Sequence, residues 1–229
     1  MSVEISMRVK KKNNLYALPK NYPVRGIAVL LPCLNEEKTI KQVIKDFKNA
    51  LPQAHIYVYD NGSTDNSLTL AAEAGAITKT IPKRGKGNAV RAMFKDIDAD
   101  VYLMADADLT YSAKDAFKLI KEVLNGYDMV VGKRSFKAVP RLHVFGNKMI
   151  TGLINKLFNA NISDVFSGYR AFSRNFVKSY PTVATGFEIE TEMTLFALDR
   201  NFSIKEVEVN YKERIEGSFS KLNTFTDGL

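Results

Sequence analysis

A chain of 229 residues can bury a substantial core, and one domain of α/β size is the default reading. Its 33 Lys and Arg outnumber 25 Asp and Glu, and the formal charge of +8 favours an anionic partner such as nucleic acid, phospholipid or a phosphorylated substrate, without naming one. The single cysteine, Cys33, excludes an internal disulfide and a cysteine-rich zinc site, and no stretch reaches the roughly 18–20 apolar residues of a membrane span.

The start, Met1 to Lys12, carries charge with no apolar signal core behind it, so neither export by such a signal nor a bilayer span is expected. Residues 1–22 are polar and basic and lead to Pro23, which predicts an arm ahead of a folded domain over 23–229. The first buried strand is expected at Gly26–Leu31, ending in Pro32-Cys33-Leu34-Asn35-Glu36-Glu37. Ile40, Val43, Ile44 and Phe47 then mark a helix over Thr39–Ala50, closed by Pro52. A second strand, Ile56–Tyr59, ends in Asp60-Asn61-Gly62-Ser63-Thr64-Asp65. It is followed by a helix from Asn66 or Ser67 to Ala74 and a short strand, Ala76–Thr80.

Arg84-Gly85-Lys86-Gly87-Asn88 leads to a helix over Ala89–Ile97 and to the apolar strand Val101–Ala105, at whose mouth stand Asp106-Ala107-Asp108. Repeated crossovers of this length predict an α/β fold with a mostly parallel central sheet flanked by helices. Beyond it, Ser112–Leu124 reads as a helix with Ser112 as its cap, and Asp128–Gly132 as a strand leading to Lys133-Arg134. An amphipathic helix near Phe145–Phe158, a short strand at Gly168–Phe172, a helix at Glu188–Arg200 and a strand at Ile204–Val209 precede a basic tail. Residues 23–132 read as a nucleotide half and 133–229 as an acceptor half of one domain.

Three apolar strands thus finish in acidic loops, at the carboxyl ends where an α/β sheet places ligands. Asp106 and Asp108 could share one Mg²⁺ or Mn²⁺, which takes oxygen ligands and keeps water and substrate phosphate in its shell. Alternatively, Asp108 merely caps the next helix. Asp60 could accept the N–H groups of a nucleobase while Gly62 lets the backbone approach a ribose, or could serve a turn at Asn61-Gly62. The loop at 84–88 suggests a phosphate cradle but lacks the complete order of a P-loop.

Between 131 and 174, Lys133, Arg134, Lys137, Arg141, Lys148, Lys156, Arg170 and Arg174 face a single acid, Asp164, which predicts contact with phosphate groups. The stripe Phe145, Met149, Ile150, Leu153, Ile154, Leu157 and Phe158 suits either core packing or a helix lying in a membrane interface. Glu188, Glu190 and Glu192 fall on different sides of a helix, so at most some of them reach one site. Cys33 reads as a small buried hydrophobe.

Together these segments resemble the family 2 inverting glycosyltransferases, and within them the dolichol- or polyprenyl-phosphate mannosyl- and glucosyltransferases, over roughly residues 24–228. Pro32 to Glu36 resembles the P-x-x-N-E nucleotide loop, Asp60 to Asp65 the D-x-G-S-x-D base and ribose loop, and Gly85 to Ala89 the K-G-x-x-x-A turn. Asp106-Ala107-Asp108 matches the D-x-D metal site, Asp164 to Arg170 looks like the D-x-x-S-G-[FY]-R acceptor-side motif, and Arg214 to Lys221, with Gly217 and Ser220-Lys221 inside it, resembles the R-x-x-G-x-S-K ending with one residue more before the serine. Asn61 departs from the family, standing where a second Asp is frequent.

The resemblance implies a single-domain GT-A-like fold and a metal-dependent hexosyltransferase working by direct displacement, with inversion, at the anomeric carbon. The donor would be GDP-mannose or a UDP-sugar and the acceptor a polyprenyl or dolichyl phosphate. Pro32, Asn35, Glu36, Asp60, Gly62, Ser63, Asp65, Lys86, Gly87 and Asp106 would surround the donor, with Asp106 and Asp108 on Mg²⁺ or Mn²⁺. Lys86 and Arg134 would assist at the phosphates, and Arg141, Arg170, Arg214, Ser220 and Lys221 would orient the lipid phosphate.

An anionic acceptor needs no base; a saccharide hydroxyl in cell-surface polysaccharide synthesis would promote Glu188 or Glu190 to that role. The resemblance further implies a peripheral location on the cytoplasmic face of a membrane and no nucleic-acid partner. Members of this kind often continue into membrane helices, and a chain ending at Asp227-Gly228-Leu229 reads as a compact or shortened form. A nucleotidyltransferase would need a Gly-rich loop near Gly26–Pro32, and a non-enzymatic binding module would leave the three acidic strand ends unexplained.

Overall fold

The computed structural model describes residues 25–134, 141–181 and 183–214, with the side chains of 141–145 outside that description. The predicted arm over 1–22 and the tail residues Ser220 and Lys221 lie outside the described residues.

In chain order the elements are β1 (Ile27–Cys33), α1 (Ile40–Ala50), β2 (His55–Asp60), α2 (Ser67–Glu73), β3 (Ile77–Thr80), α3 (Lys86–Asp96) and β4 (Val101–Met104). A 3-10 turn (Ala113–Asp115), α4 (Ala116–Leu124), β5 (Met129–Arg134), α5 (Arg141–Phe158), β6 (Arg170–Ser173), α6 (Arg174–Ser179), α7 (Ile189–Asp199) and β7 (Ile204–Val209) complete it. The strands form one sheet in the order β3-β2-β1-β4-β6-β5-β7. All its pairings are parallel except those of β6, which runs antiparallel to both β4 and β5.

Alternation along the central strands feeds two apolar layers, as expected for a sheet covered on both faces. Val29, Leu31 and Leu103 pack with Ile40, Val43, Ile44 and Phe47 of α1 and with Leu119 and Ile120 of α4. Leu30, Tyr102 and Met104 point the other way, to Val90, Met93 and Phe94 of α3, Phe176 of α6 and Met193 of α7. Both halves of the chain build this sheet, because β6 of the second half lies between β4 and β5 of the first. The parallel strands β1, β2, β4 and β5 end on one edge, and antiparallel β6 begins there, with Arg170 opposite Met104.

The mostly parallel α/β sheet is as predicted, with local differences. β1 runs on to Cys33, because Pro32 and Cys33 keep their register with Tyr59 and Asp60. α3 starts at Lys86, so the glycine-rich segment is the entry to a helix. Ser112 does not cap a helix directly; a 3-10 turn comes first. The six-residue α6 is an addition to the predicted elements, and Ser173 caps it by accepting the N–H of Phe176 at 3.1 Å.

The stripe on α5 divides. Ile154 is buried with Ile162 and Val165, whereas Met149, Leu153 and Leu157 are 63%, 57% and 69% exposed. The predicted choice between core and surface is therefore answered differently by two ridges of one helix.

Candidate active site

The register that sets Cys33 beside Asp60 brings the loops after β1 and β2 together. The Asn35 N–H donates to Ser63 Oγ (2.8 Å), the Thr64 N–H to Asn35 Oδ1 (2.8 Å) and the Glu36 N–H to Ser67 Oγ (2.7 Å). Asp65 accepts from the Ser67 hydroxyl (2.5 Å), Ser67 N (3.0 Å) and Glu37 N (3.2 Å); burial acts to raise its carboxyl, but these bonds, the hydroxyl's first, hold it below the usual range. Asn35, Ser63 and Asp65, all predicted donor residues, thus staple the two loops to each other.

Asp60 lies at the end of β2 and is 3% exposed. Its Oδ2 accepts from the Gly62 N–H (3.2 Å) and the Ser63 N–H (3.1 Å), while Oδ1 is buried without a hydrogen-bond partner among the described residues. An acceptor left so costs about 1–3 kcal/mol. Gly62 has φ +87°, a turn that a side chain would strain, and the exposed Arg84 lies across it. Asn61 is buried and ties the next loop down: its Nδ2 donates to Lys83 O (2.6 Å) and its Oδ1 accepts the Gly85 N–H. The departure from the family pattern at this position is thus a structural link.

Asp106 and Asp108 emerge from β4 through a tight turn in which Leu109 has φ +64°, a left-handed conformation uncommon for its type. Thr39 Oγ1 holds the turn by donating to Ala107 O at 2.7 Å. Asp108 does two things at once: Oδ1 accepts from Thr110 N (3.0 Å) and Oγ1 (2.6 Å), while Oδ2 lies 2.6 Å from Arg214 Nη2. Arg214 also reaches Glu36 Oε1 at 3.7 Å.

Asp106 Oδ1 is 2.6 Å from Lys86 Nζ, which also pairs with Glu190 Oε1. Burial alone would lower the Lys86 pKa, but Asp106 and Glu190 overcome it and raise it. The Asp106 carboxyl is likewise pushed up by burial and pulled down further by Lys86, ending below its ordinary value. Asp108 goes the other way, raised by burial and by Asp106 against the pull of Arg214.

Backbone closes around this cluster where side chains would not fit. A Cβ on Gly168 would stand 2.8 Å from Asp106 Oδ2 and 3.1 Å from Lys86 Nζ. On the other side the 184–186 segment packs on the start of α3, accepting the Gly87 and Asn88 N–H groups.

Arg134 is committed to Asp164 through a two-pronged pair, Nε to Oδ2 at 2.7 Å and Nη2 to Oδ1 at 2.8 Å, with Asn147 as a further donor to Asp164 at 3.0 Å. Arg170 requires a correction. It is 0% exposed, and its guanidinium donates to Ser167 O (2.8 Å), Val165 O (2.6 Å) and Thr194 Oγ1 (2.9 Å). It therefore braces the 164–170 loop from within and does not reach an acceptor phosphate; its predicted part in orienting that phosphate fails because the side chain is fully buried and its guanidinium is taken by Val165 O, Ser167 O and Thr194 Oγ1. Arg141 begins α5, and its side chain lies outside the described residues.

The three glutamates diverge. Glu188 accepts from Thr185 N and Gly186 N (2.9 Å each), Glu192 from Tyr180 OH (2.7 Å) and Val183 N (2.9 Å), and Glu190 faces Lys86. Sequence reasoning missed Thr39 and also Tyr111, whose hydroxyl accepts the Gly168 N–H at 3.0 Å. Thr39 read only as a helix start, and a tyrosine just past an acidic turn carries no signal of its own.

Among the described residues no group of three His, Cys, Asp or Glu side chains could by itself hold a metal ion. Asp106 and Asp108 offer oxygen donors at a strand end. That donor set fits a Mg²⁺ or Mn²⁺ whose shell is completed by water and substrate phosphate, the usual arrangement for such ions.

Comparison with known proteins agrees with this geometry. The glycosyltransferase AglJ of Haloferax volcanii is 37% identical over 208 residues, spanning 89% of this chain and 68% of that protein. A dolichyl-phosphate hexose transferase of the same organism is 30% identical over 211 residues, spanning 90% and 91%. Among solved structures, glucosyl-3-phosphoglycerate synthase from Mycobacterium tuberculosis, in complex with Mn²⁺ and UDP-glucose, superposes with a TM-score of 0.71 at 23% identity, covering 84% of this chain and 73% of that one. The shared architecture is the GT-A fold. The profile described as glycosyl transferase family 2 matches residues 28–180, and the chain belongs to that family.

Proposed function

We propose that this protein is a metal-dependent inverting hexosyltransferase, moving a hexose from GDP-mannose or a UDP-sugar to a polyprenyl or dolichyl phosphate at a membrane surface. The observation that carries the reading is the meeting of Asp106, Asp108, Lys86 and Arg214 at the carboxyl edge of the sheet, beside the stapled loops after β1 and β2. Pro32, Gly62, Ser63 and Gly87 belong to the surrounding donor-side loops, and Asp60 serves the base.

Asp106 and Asp108 would hold a Mg²⁺ or Mn²⁺, which would supply positive charge to the diphosphate leaving group. Lys86 and Arg214 add fixed positive charge at the same edge, positioned by Glu190 and Glu36. The acceptor oxygen forms its bond to the anomeric carbon on the face opposite the bond to the diphosphate, which breaks, and the configuration inverts.

A phosphate oxygen attacks without losing a proton. Two contacts support that acceptor over a saccharide hydroxyl: Glu190 is paired with Lys86, and Glu188 is taken up by two loop amides. The name of the dolichyl-phosphate hexose transferase relative and the exposed ridge of α5 support the lipid setting and a peripheral attachment.

The test is sugar transfer to a short-chain polyprenyl phosphate with Mg²⁺ or Mn²⁺, screening GDP- and UDP-sugars against wild type and Asp106→Ala. Turnover with one donor is expected, falling about 10³-fold in the variant at an unchanged melting temperature. Transfer to saccharides alone would replace the lipid phosphate by a hydroxyl acceptor and return Glu190 to consideration as base.

A further inference from the structure

We infer that Lys133 grips the phosphate of the acceptor, on the side of Asp106 away from the donor loops. The inference rests on the phosphate-acceptor reading above and names the residue that recognises that group.

The sheet register places Lys133. Met104, Arg170, Val131 and Glu206 lie side by side across β4, β6, β5 and β7. Side chains alternate along a strand, so the next row toward the carboxyl edge on the same face is Asp106, Gly168, Lys133 and Glu208. Two contacts extend the row past the ends of the paired strands: the Gly132 N–H donates to Tyr169 O at 2.8 Å, and a Cβ on Gly168 would stand 2.8 Å from Asp106 Oδ2. Lys133 itself is in register with Glu208. Lys133 is thus two strands from Asp106, roughly 10 Å at the ordinary spacing of neighbours, and the residue between them carries no side chain.

The strand order sets β1 and β2, with the donor loops, on one side of Asp106 and β5, with Lys133, on the other. A cation there meets the acceptor and not the base or ribose. The other cations around the site are already engaged: Lys86 by Asp106 and Glu190, Arg214 by Asp108 and Glu36, Arg134 by Asp164, and Arg170 by its buried acceptors. Lys133 is half-buried and enters no ion pair among the described residues. Glu208 beside it is exposed, and a solvated carboxylate competes weakly for a lysine. An ammonium on a flexible stem meets a phosphate as a point charge and can follow it as its oxygen approaches the anomeric carbon.

The experiment is calorimetric titration of the full chain, in Mn²⁺ with UDP or GDP, with a short-chain isoprenyl phosphate, the corresponding alcohol and glycerol 3-phosphate. It is repeated on Lys133→Gln and Lys133→Arg, with thermal melts to establish that both fold. Wild type is expected to bind the isoprenyl phosphate at least about tenfold tighter than the alcohol, Lys133→Gln to lose that preference and Lys133→Arg to keep most of it, with binding of the alcohol and the nucleotide unchanged. Glycerol 3-phosphate bound as tightly, with the same dependence on Lys133, upholds the inference and assigns a soluble phosphate ester in place of the lipid. A preference that survives in folded Lys133→Gln overturns the inference and leaves the phosphate-acceptor reading intact, as does a loss of alcohol and nucleotide binding along with the phosphate. No preference for the phosphate in wild type overturns both.

Discussion

Acidic groups are matched by basic ones in two places, with different consequences. At the ends of β1 and β4, Asp106 and Asp108 are met by Lys86 and Arg214, each shared with a second carboxylate, and Asp106 and Arg214 remain partly exposed. At the end of β5, Asp164 is fully enclosed and receives Arg134 in a two-pronged pair, with Asn147 and the Asp164 N–H bond to Glu206 completing the set. Pairs shared between two carboxylates can be exchanged for a ligand, whereas a two-pronged pair on a fully buried, saturated carboxylate holds the chain in place. Arg170, which looks from sequence like a member of the first group, belongs with the second.

Breaking the sealed pair should have the largest effect on the fold. Asp164→Asn leaves the largely buried Arg134 without its counter-charge and should destabilise by about 3 kcal/mol, measured by urea unfolding at neutral pH. The sign of the pKa shift fixes the pH dependence. Burial raises the Asp164 carboxyl but Arg134 lowers it further, so its folded pKa lies below the unfolded value. Its contribution is present above the unfolded pKa of about 3.9 and is lost as pH falls through the folded one. Wild type and variant should therefore converge in acid, and a gap that persists there would point to packing in place of charge.

The open cluster should respond to the same kind of substitution in the opposite sense. Arg214 lies on Asp108 Oδ2, so a divalent ion arriving at Asp108 meets a positive charge already there. Arg214→Gln should tighten Mn²⁺ binding in the absence of nucleotide by about tenfold, roughly the worth of one close unit charge at a nearly water-like dielectric, as suits a partly exposed guanidinium. Loss of the free Mn²⁺ electron paramagnetic resonance signal measures it. Weaker binding would show that Arg214 supports the site and does not compete for it.

How far each region can be read from sequence depends on where its information lies. β1, β2 and β4 are legible because strands buried on both faces are continuous apolar runs, and Asp60, Asp106 and Asp108 because their positions at strand ends need no partner to be meaningful. The antiparallel insertion of β6 is not legible, since four residues of a short strand carry no direction. Nor is the pairing of Glu190 with Lys86. Helical spacing says that Glu188, Glu190 and Glu192 diverge, but the lysine that singles out Glu190 stands 104 residues earlier. Arg170 is misread because two of its acceptors are the backbone carbonyls of Val165 and Ser167, and a carbonyl has no signature in sequence.

The smallest effect is expected on α5, where neither kind of ion pair is at issue. Met149, Leu153 and Leu157 form one exposed ridge at i, i+4 spacing, and Lys148 and Lys156 are exposed beside it. Among the described residues no helix is long and apolar enough to cross a membrane. Leu153→Gln removes apolar surface that the fold leaves open, so its melting temperature should stay close to that of wild type. Partition onto anionic phospholipid vesicles should fall about threefold, in keeping with the partial burial of one leucine at an interface. The lysines should matter in proportion to the anionic lipid and to low salt, which separates them from the leucine. Unchanged partition with a lower melting temperature would mean that the ridge packs against protein, and α5 would then join the sealed side of the molecule.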